Sequence, residues 1–167
     1  YGNPIHEDGP EGYTPLHAAA RNGHLEVCLF ILDRVQIKNP ALRTNGSTPL
    51  HCAALTGHEE VFKAIANEIK DKNPANNKGD TPLHGAARMG HLGICQFILD
   101  RVEDKNPADN EGSTPLHEAA ANGHEEVFKA IFNGIEDKNP GDTTGWTPLH
   151  VAVSERNLEI CRFIIDR

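Results

Sequence analysis

Apolar and polar positions along this chain recur as a block. In residues 25–32, LEVCLFIL, the apolar side chains Leu25, Val27, Cys28, Ile31 and Leu32 fall at helical spacing. Ahead of each such stretch, Thr-Pro-Leu-His predicts another helix start. Threonine is a good N-cap, and proline is welcome only at the first helical position. That first helix runs through a pair of small residues (Ala18-Ala19, Ala53-Ala54, Ala86-Ala87, Ala119-Ala120) to Gly23, Gly57, Gly90 or Gly123. A glycine there suits a left-handed helix end. From each Lys-Asn-Pro to the next glycine the chain is polar and turn-like. The pattern therefore predicts helix, turn, helix, polar loop, and then the same again.

Thr14, Thr48, Thr81, Thr114 and Thr147 open successive blocks, at spacings of 34, 33, 33 and 33 residues. A fixed period of this length marks a stacked solenoid. On the repeated Thr-Pro-Leu-His, the small pair and the glycine, residues 12–167 resemble the ankyrin-repeat family. The resemblance implies an all-α ankyrin solenoid, each repeat a helix-turn-helix with a projecting β-hairpin or loop. It implies a single domain over 1–167: residues 1–11 as the tail of a preceding repeat, marked by Asn3-Pro4, then repeats 12–45, 46–78, 79–111, 112–144 and a shortened 145–167.

The second helices alternate. Repeats one, three and five carry Cys28-x-Phe30, Cys95-x-Phe97 and Cys161-x-Phe163, whereas repeats two and four carry Phe62-x-Ala64 and Phe128-x-Ala130. Repeat two matches repeat four at 23 of 33 positions but repeat three at only 16, so the larger unit is a pair of repeats. Small against large at stacked slots predicts interdigitation at constant volume. The family's usual glycine after the second helix is replaced by Val35, Ile69, Val102 and Ile135. β-Branched residues resist the left-handed conformation, so this turn is expected to close differently, with a longer second helix. In repeat five, Arg156-Asn157 stands for Gly-His and Val153 for alanine. Ile160, Phe163 and Ile164 predict an apolar end open to weak self-association.

Charge and composition narrow the chemistry. A net charge of −8 argues against non-specific nucleic-acid or anionic-membrane binding. No apolar run reaches the roughly 20 residues of a membrane helix. Four cysteines without a CxxC pair suit a reducing, intracellular, cytoplasmic setting. Ten histidines invite a metal site, but none is joined by cysteine or carboxylate at a ligand spacing, and the family's Thr-Pro-Leu-His histidines are structural. No phosphate loop or nucleophile motif is present, so neither enzyme activity nor a cofactor is expected. By resemblance, Asn73, Asn106 and Asn139, with Asn39 in the same slot, are candidates for asparaginyl hydroxylation. The proline after each favours a plain turn role instead.

Positions that the repeat leaves free are the candidates for binding. One set follows the loop glycine: Tyr13, Ser47, Asp80, Ser113 and Trp146. The other lies at the end of the first helix: Arg21, Asn22, Leu55, Thr56, Arg88, Met89, Asn122 and Glu155. By resemblance these line the concave face on which ankyrin proteins bind other proteins. Tyr, Trp and Arg are favoured at binding hot spots. The expected function is therefore protein–protein interaction. A structural spacer within a longer protein, or an engineered repeat protein, is the alternative.

Overall fold

The computed structural model describes residues 9–167. The Asn3-Pro4 tail lies outside them. After a 3-10 turn at Pro10–Gly12 come five helix pairs. These are α1 (Pro15–Arg21) with α2 (Leu25–Leu32), α3 (Pro49–Thr56) with α4 (Glu59–Asn67), and α5 (Pro82–Arg88) with α6 (Leu92–Leu99). Next follow α7 (Pro115–Asn122) with α8 (Glu125–Asn133), and α9 (Pro148–Ser154) with α10 (Leu158–Ile165). Odd-numbered helices stack on one another in chain order as an inner layer, and even-numbered helices form the outer layer.

Each inner helix starts as its sequence predicts, with threonine at the N-cap and proline at the first turn. The motif's histidine adds a capping box: in all five repeats its Nδ1 accepts the N–H of the capping threonine at 3.1–3.3 Å. Buried alanines on the inner helices allow close stacking; in repeat one the buried pair is Ala19-Ala20, one residue later than expected.

Gly23, Gly57, Gly90 and Gly123 do adopt positive φ. A second constraint acts there. A Cβ on Gly23, Gly57 or Gly90 would come within 2.4–2.5 Å of the ring of His58, His91 or His124 in the next repeat. Arg156 takes the left-handed conformation as a non-glycine, at φ 59°.

The projecting segments are loops, one of the two forms expected, whereas the expectations of longer outer helices and of constant joint volume are corrected. Among the described residues no strand forms in the projecting loops. Each is a tight finger closed by two backbone hydrogen bonds, one of 2.7–2.9 Å, as from Asp109 N–H to the Ser113 carbonyl, and one of 2.9–3.2 Å, as from Gly112 N–H to the Asp109 carbonyl. Adjacent fingers are joined by one more, of 2.8–3.0 Å, from Arg43, Asn77, Asn110 and Thr143 to Glu11, Asn45, Lys78 and Glu111. Both bonds within a finger meet at one residue, which leaves the chain too tightly turned for a ladder. The outer helices, moreover, are not lengthened into the β-branched slot. They end at Leu32, Asn67, Leu99 and Asn133, before Val35, Ile69, Val102 and Ile135. The lysine of Lys-Asn-Pro caps several of these ends: Lys38, Lys72 and Lys138 donate to carbonyls of Leu32, Ala66 and Phe132.

The outer layer does not keep a constant volume at each joint either. Phe62 is fully buried and meets Phe97 of the next repeat edge-on, with ring centroids 5.9 Å apart. Phe128 meets Phe163 in the same way at 6.1 Å. The first slot thus faces the following repeat and the second slot the preceding one. Cysteine-type repeats one and three approach the next repeat closely, whereas phenylalanine-type repeats two and four stand further from theirs, with two rings in the gap. Narrow and wide joints alternate.

Candidate functional site

In repeats two to five the variable finger slot is held through its backbone. The motif histidine, its Nδ1 already accepting, presents Nε2 to the slot carbonyl of the next repeat: His17 to Ser47, His51 to Asp80, His84 to Ser113 and His117 to Trp146, at 3.1–3.3 Å. Nε2 carries the proton and donates. Burial holds the His51 and His84 pKa below the usual histidine value, which favours this neutral form. The slot's N–H is fixed in several repeats as well, by Asn45 to Ser47, Asp109 to Ser113 and Asp142 to Trp146. With both backbone groups satisfied, the side chain is free to vary.

Fingers and inner helices together border two hollows. One, of about 220 Å³, is lined by Ser47, Leu55, Asp80 and Arg88 among others. The second, of about 440 Å³, shares Asp80 and Arg88 and adds Ser113 and Glu118. Arg88 stands between them with Nε and Nη2 engaged. Its Nε and Nη2 donate to the two carboxylate oxygens of Glu118 at 2.8 and 2.9 Å, and Nη2 reaches Asp80 at 3.3 Å. These carboxylates, Glu118 foremost, hold the guanidinium firmly charged. Glu118 is a site residue that the sequence did not single out. The signal was available: Glu118 aligns with Gly85, one helical turn before Arg88 in its own repeat.

The other predicted positions divide. Leu55 and Met89 are exposed apolar side chains near the middle of the stack. Thr56, Asn22 and Asn122 turn back onto their own helices, donating to the carbonyls of Cys52, Ala18 and Glu118 at 2.8–2.9 Å. Arg21 and Glu155 are exposed and form no ion pair among the described residues. Tyr13 stacks on His17 at 5.3 Å. Trp146 is half exposed, tilted over His150 at 6.2 Å. Tyr13 and Trp146 sit at the two ends and line neither hollow.

Asn73, Asn106 and Asn139, with Asn39, are partly buried. Each Oδ1 accepts the N–H of the leucine in the next Thr-Pro-Leu-His at 2.9–3.2 Å, so each serves as a second cap on the following helix. Among the described residues no three histidine, cysteine or acidic side chains gather as a metal cage. The thiols of Cys28 and Cys95 are pushed up by burial, to about 11 and about 12, which leaves them poor nucleophiles. No helix among the described residues is long and apolar enough to cross a membrane.

Comparison with known families accords with this architecture. The model for ankyrin repeats (3 copies) matches residues 33–109, 67–140 and 102–167, and that for a single ankyrin repeat matches 11–44. The chain belongs to the ankyrin-repeat family. No curated protein matches it. Ankyrin repeats are in general protein–protein interaction modules, typically without enzyme activity. Within that frame, what distinguishes this ankyrin chain is which slots its side chains leave free.

Proposed function

We propose that this ankyrin chain is a non-enzymatic module that binds a partner protein through the concave face formed by its fingers and inner helices. One observation carries the reading. The histidine relay holds each finger slot by its carbonyl, while Trp146, Leu55 and Met89 expose large apolar surface on elements bordering that face. An exposed aromatic on a rigid backbone loses little entropy when it is covered, which suits it as an anchor. Arg88 contributes shape and a fixed ion pair through Nε and Nη2. The binding surface is therefore apolar at Leu55 and Met89 and at Trp146, with the Arg88–Glu118 pair between. Four free thiols suit a reducing intracellular setting.

The spacer reading gains from a specific observation: Arg88, Thr56, Asn22 and Asn122 serve the stack itself. A quantitative affinity capture separates the two. The variant Leu55→Ser, Met89→Ser, Trp146→Ala keeps every backbone contact, and it is expected to lose specific proteins that the unaltered chain retains. Identical captured sets from folded proteins would overturn the concave-face reading.

A further inference from the structure

The wide and narrow joints assign a surface outside the concave face. Val27 and Phe30 on α2 are 47% and 53% exposed, whereas the equivalents of Val27, Ile94 and Ile160, are each 1% exposed. The equivalents of Phe30 are Phe97 and Phe163, both partly buried, each with a phenyl ring of the preceding repeat against it. Ile160 is buried although it lies in repeat five, so the preceding repeat is what covers this position. Position 27 is covered at either kind of joint, since Val61 and Val127 behind cysteine-type repeats are 2% exposed, whereas a phenylalanine at position 30 belongs to the half of a wide joint that a phenylalanine-type repeat completes.

The finger ladder points to the same occupant. Residues 9–13 already form a finger: Gly9 N–H donates to the Tyr13 carbonyl at 2.9 Å, as Asp109 does to Ser113. Glu11 accepts from Arg43 at 2.8 Å, as Glu111 accepts from Thr143. This finger holds the position in the stack ahead of repeat one.

We propose that the face of α2 bearing Val27 and Phe30 is a seat for a phenylalanine-type ankyrin repeat, stacked in register on the finger at 9–13. Specificity lies in the phase of the alternation. A cysteine-type repeat would set a thiol where Phe62 and Phe128 place a ring, leaving a phenyl-sized gap beside Phe30. A second copy of this chain fits poorly, because the free face of its repeat five is cysteine-type, bearing Cys161 and Ile164. That face also carries Arg156 in the slot where a following histidine ring needs glycine.

The test joins a copy of residues 112–141 ahead of Gly9, in place of residues 1–8, so that the finger at 9–13 completes it. Two controls carry either a copy of residues 79–108 or the 112–141 copy with its phenylalanine equivalent to Phe128 changed to alanine. Circular dichroism first establishes that each fusion has gained a helix pair. Hydrogen exchange of α2 amides is then expected to slow at least tenfold with the phenylalanine-type copy, and less than threefold with either control. Changing Val27→Lys in the first fusion should return α2 to its unfused rate. Equal protection from all three copies, or none from a folded phenylalanine-type copy, overturns the proposal. So does a phenylalanine-type fusion that gains no helix while the 79–108 fusion does. Sedimentation of the unaltered chain supplies the remaining arm: a concentration-dependent dimer abolished by Val27→Lys would make a second copy the occupant and overturn it too.

Discussion

Changing Phe62→Ala probes the wide joint most directly. The side chain on α4 is fully buried, its ring edge-on to Phe97 of α6, at a joint whose inner helices α3 and α5 are packed closely. Removing a buried phenyl forfeits about 1.5–3 kcal/mol of transfer free energy. A residual cavity raises the total to about 3–5 kcal/mol, because the inner layer stops the gap from closing. That is a large share of a typical domain's stability of about 5–15 kcal/mol. Solenoid stability is a sum of repeat and neighbour-interface contributions, so the loss should be local to one joint. Urea unfolding followed by circular dichroism reports the whole stack, whereas fluorescence of the single Trp146 reports repeat five. The substitution should lower the first midpoint and separate the two curves, repeats three to five outlasting one and two. A double-mutant cycle with Phe97→Ala should give a coupling of about 0.5–1.5 kcal/mol, the worth of an edge-on aromatic pair. A total loss below about 1 kcal/mol, with coincident curves, would refute the reasoning.

Four further outcomes are expected. Arg156→Gly should stabilise the chain by about 1 kcal/mol, since a side chain in the left-handed region costs about that much. Gly90→Ala should destabilise it by about 2 kcal/mol or more, because strain in φ adds to the contact with His124; thermal melts read both. Stability should fall on acidification. Burial lowers the folded pKa of His51 and His84 below the ordinary value of about 6.5, so the unfolded chain binds more protons. The contribution is whole above that value and is lost as pH drops below it toward the folded pKa. Urea midpoints at pH 7.5 and 5.5 measure this, and a His51→Gln, His84→Gln variant should show a smaller difference; an unchanged difference would exclude these two groups. Finally, Asn106→Ala should cost about 1 kcal/mol by leaving the Leu116 N–H without its cap, read as a shift in urea midpoint.

The frame of the fold was legible because it is written locally. Thr-Pro-Leu-His places a helix start, a glycine its end, and a fixed spacing the stack. What escaped the sequence lies between repeats. The four cap asparagines read as turn residues, since the leucine amides they hold are 10 or 11 positions onward and belong to the next unit. Arg88 read as a binding candidate because its partner Glu118 lies 30 residues away and is visible only when the repeats are aligned. The glycine before each outer helix was correctly expected in a left-handed turn, but its contact with the next histidine ring is a property of the joint. Alternation of cysteine and phenylalanine was visible; which face each slot presents was not, and so constant volume was expected where narrow and wide gaps alternate. The aromatic in the finger slot was legible as a variable position, whereas the carbonyl held by His117 that permits the variation was not.

Alternating joints also bear on how such an array can change length. Inserting or deleting one 33-residue unit would set two repeats of the same type side by side, so that a ring faces a small residue at a joint built for two rings or for none. Inserting or deleting two units leaves every junction as it was. A coding sequence under selection for a stable stack should therefore grow and shrink by 66 residues at a time. The greater likeness of repeat two to repeat four than to its neighbour, at 23 against 16 positions, is the trace such doubling would leave.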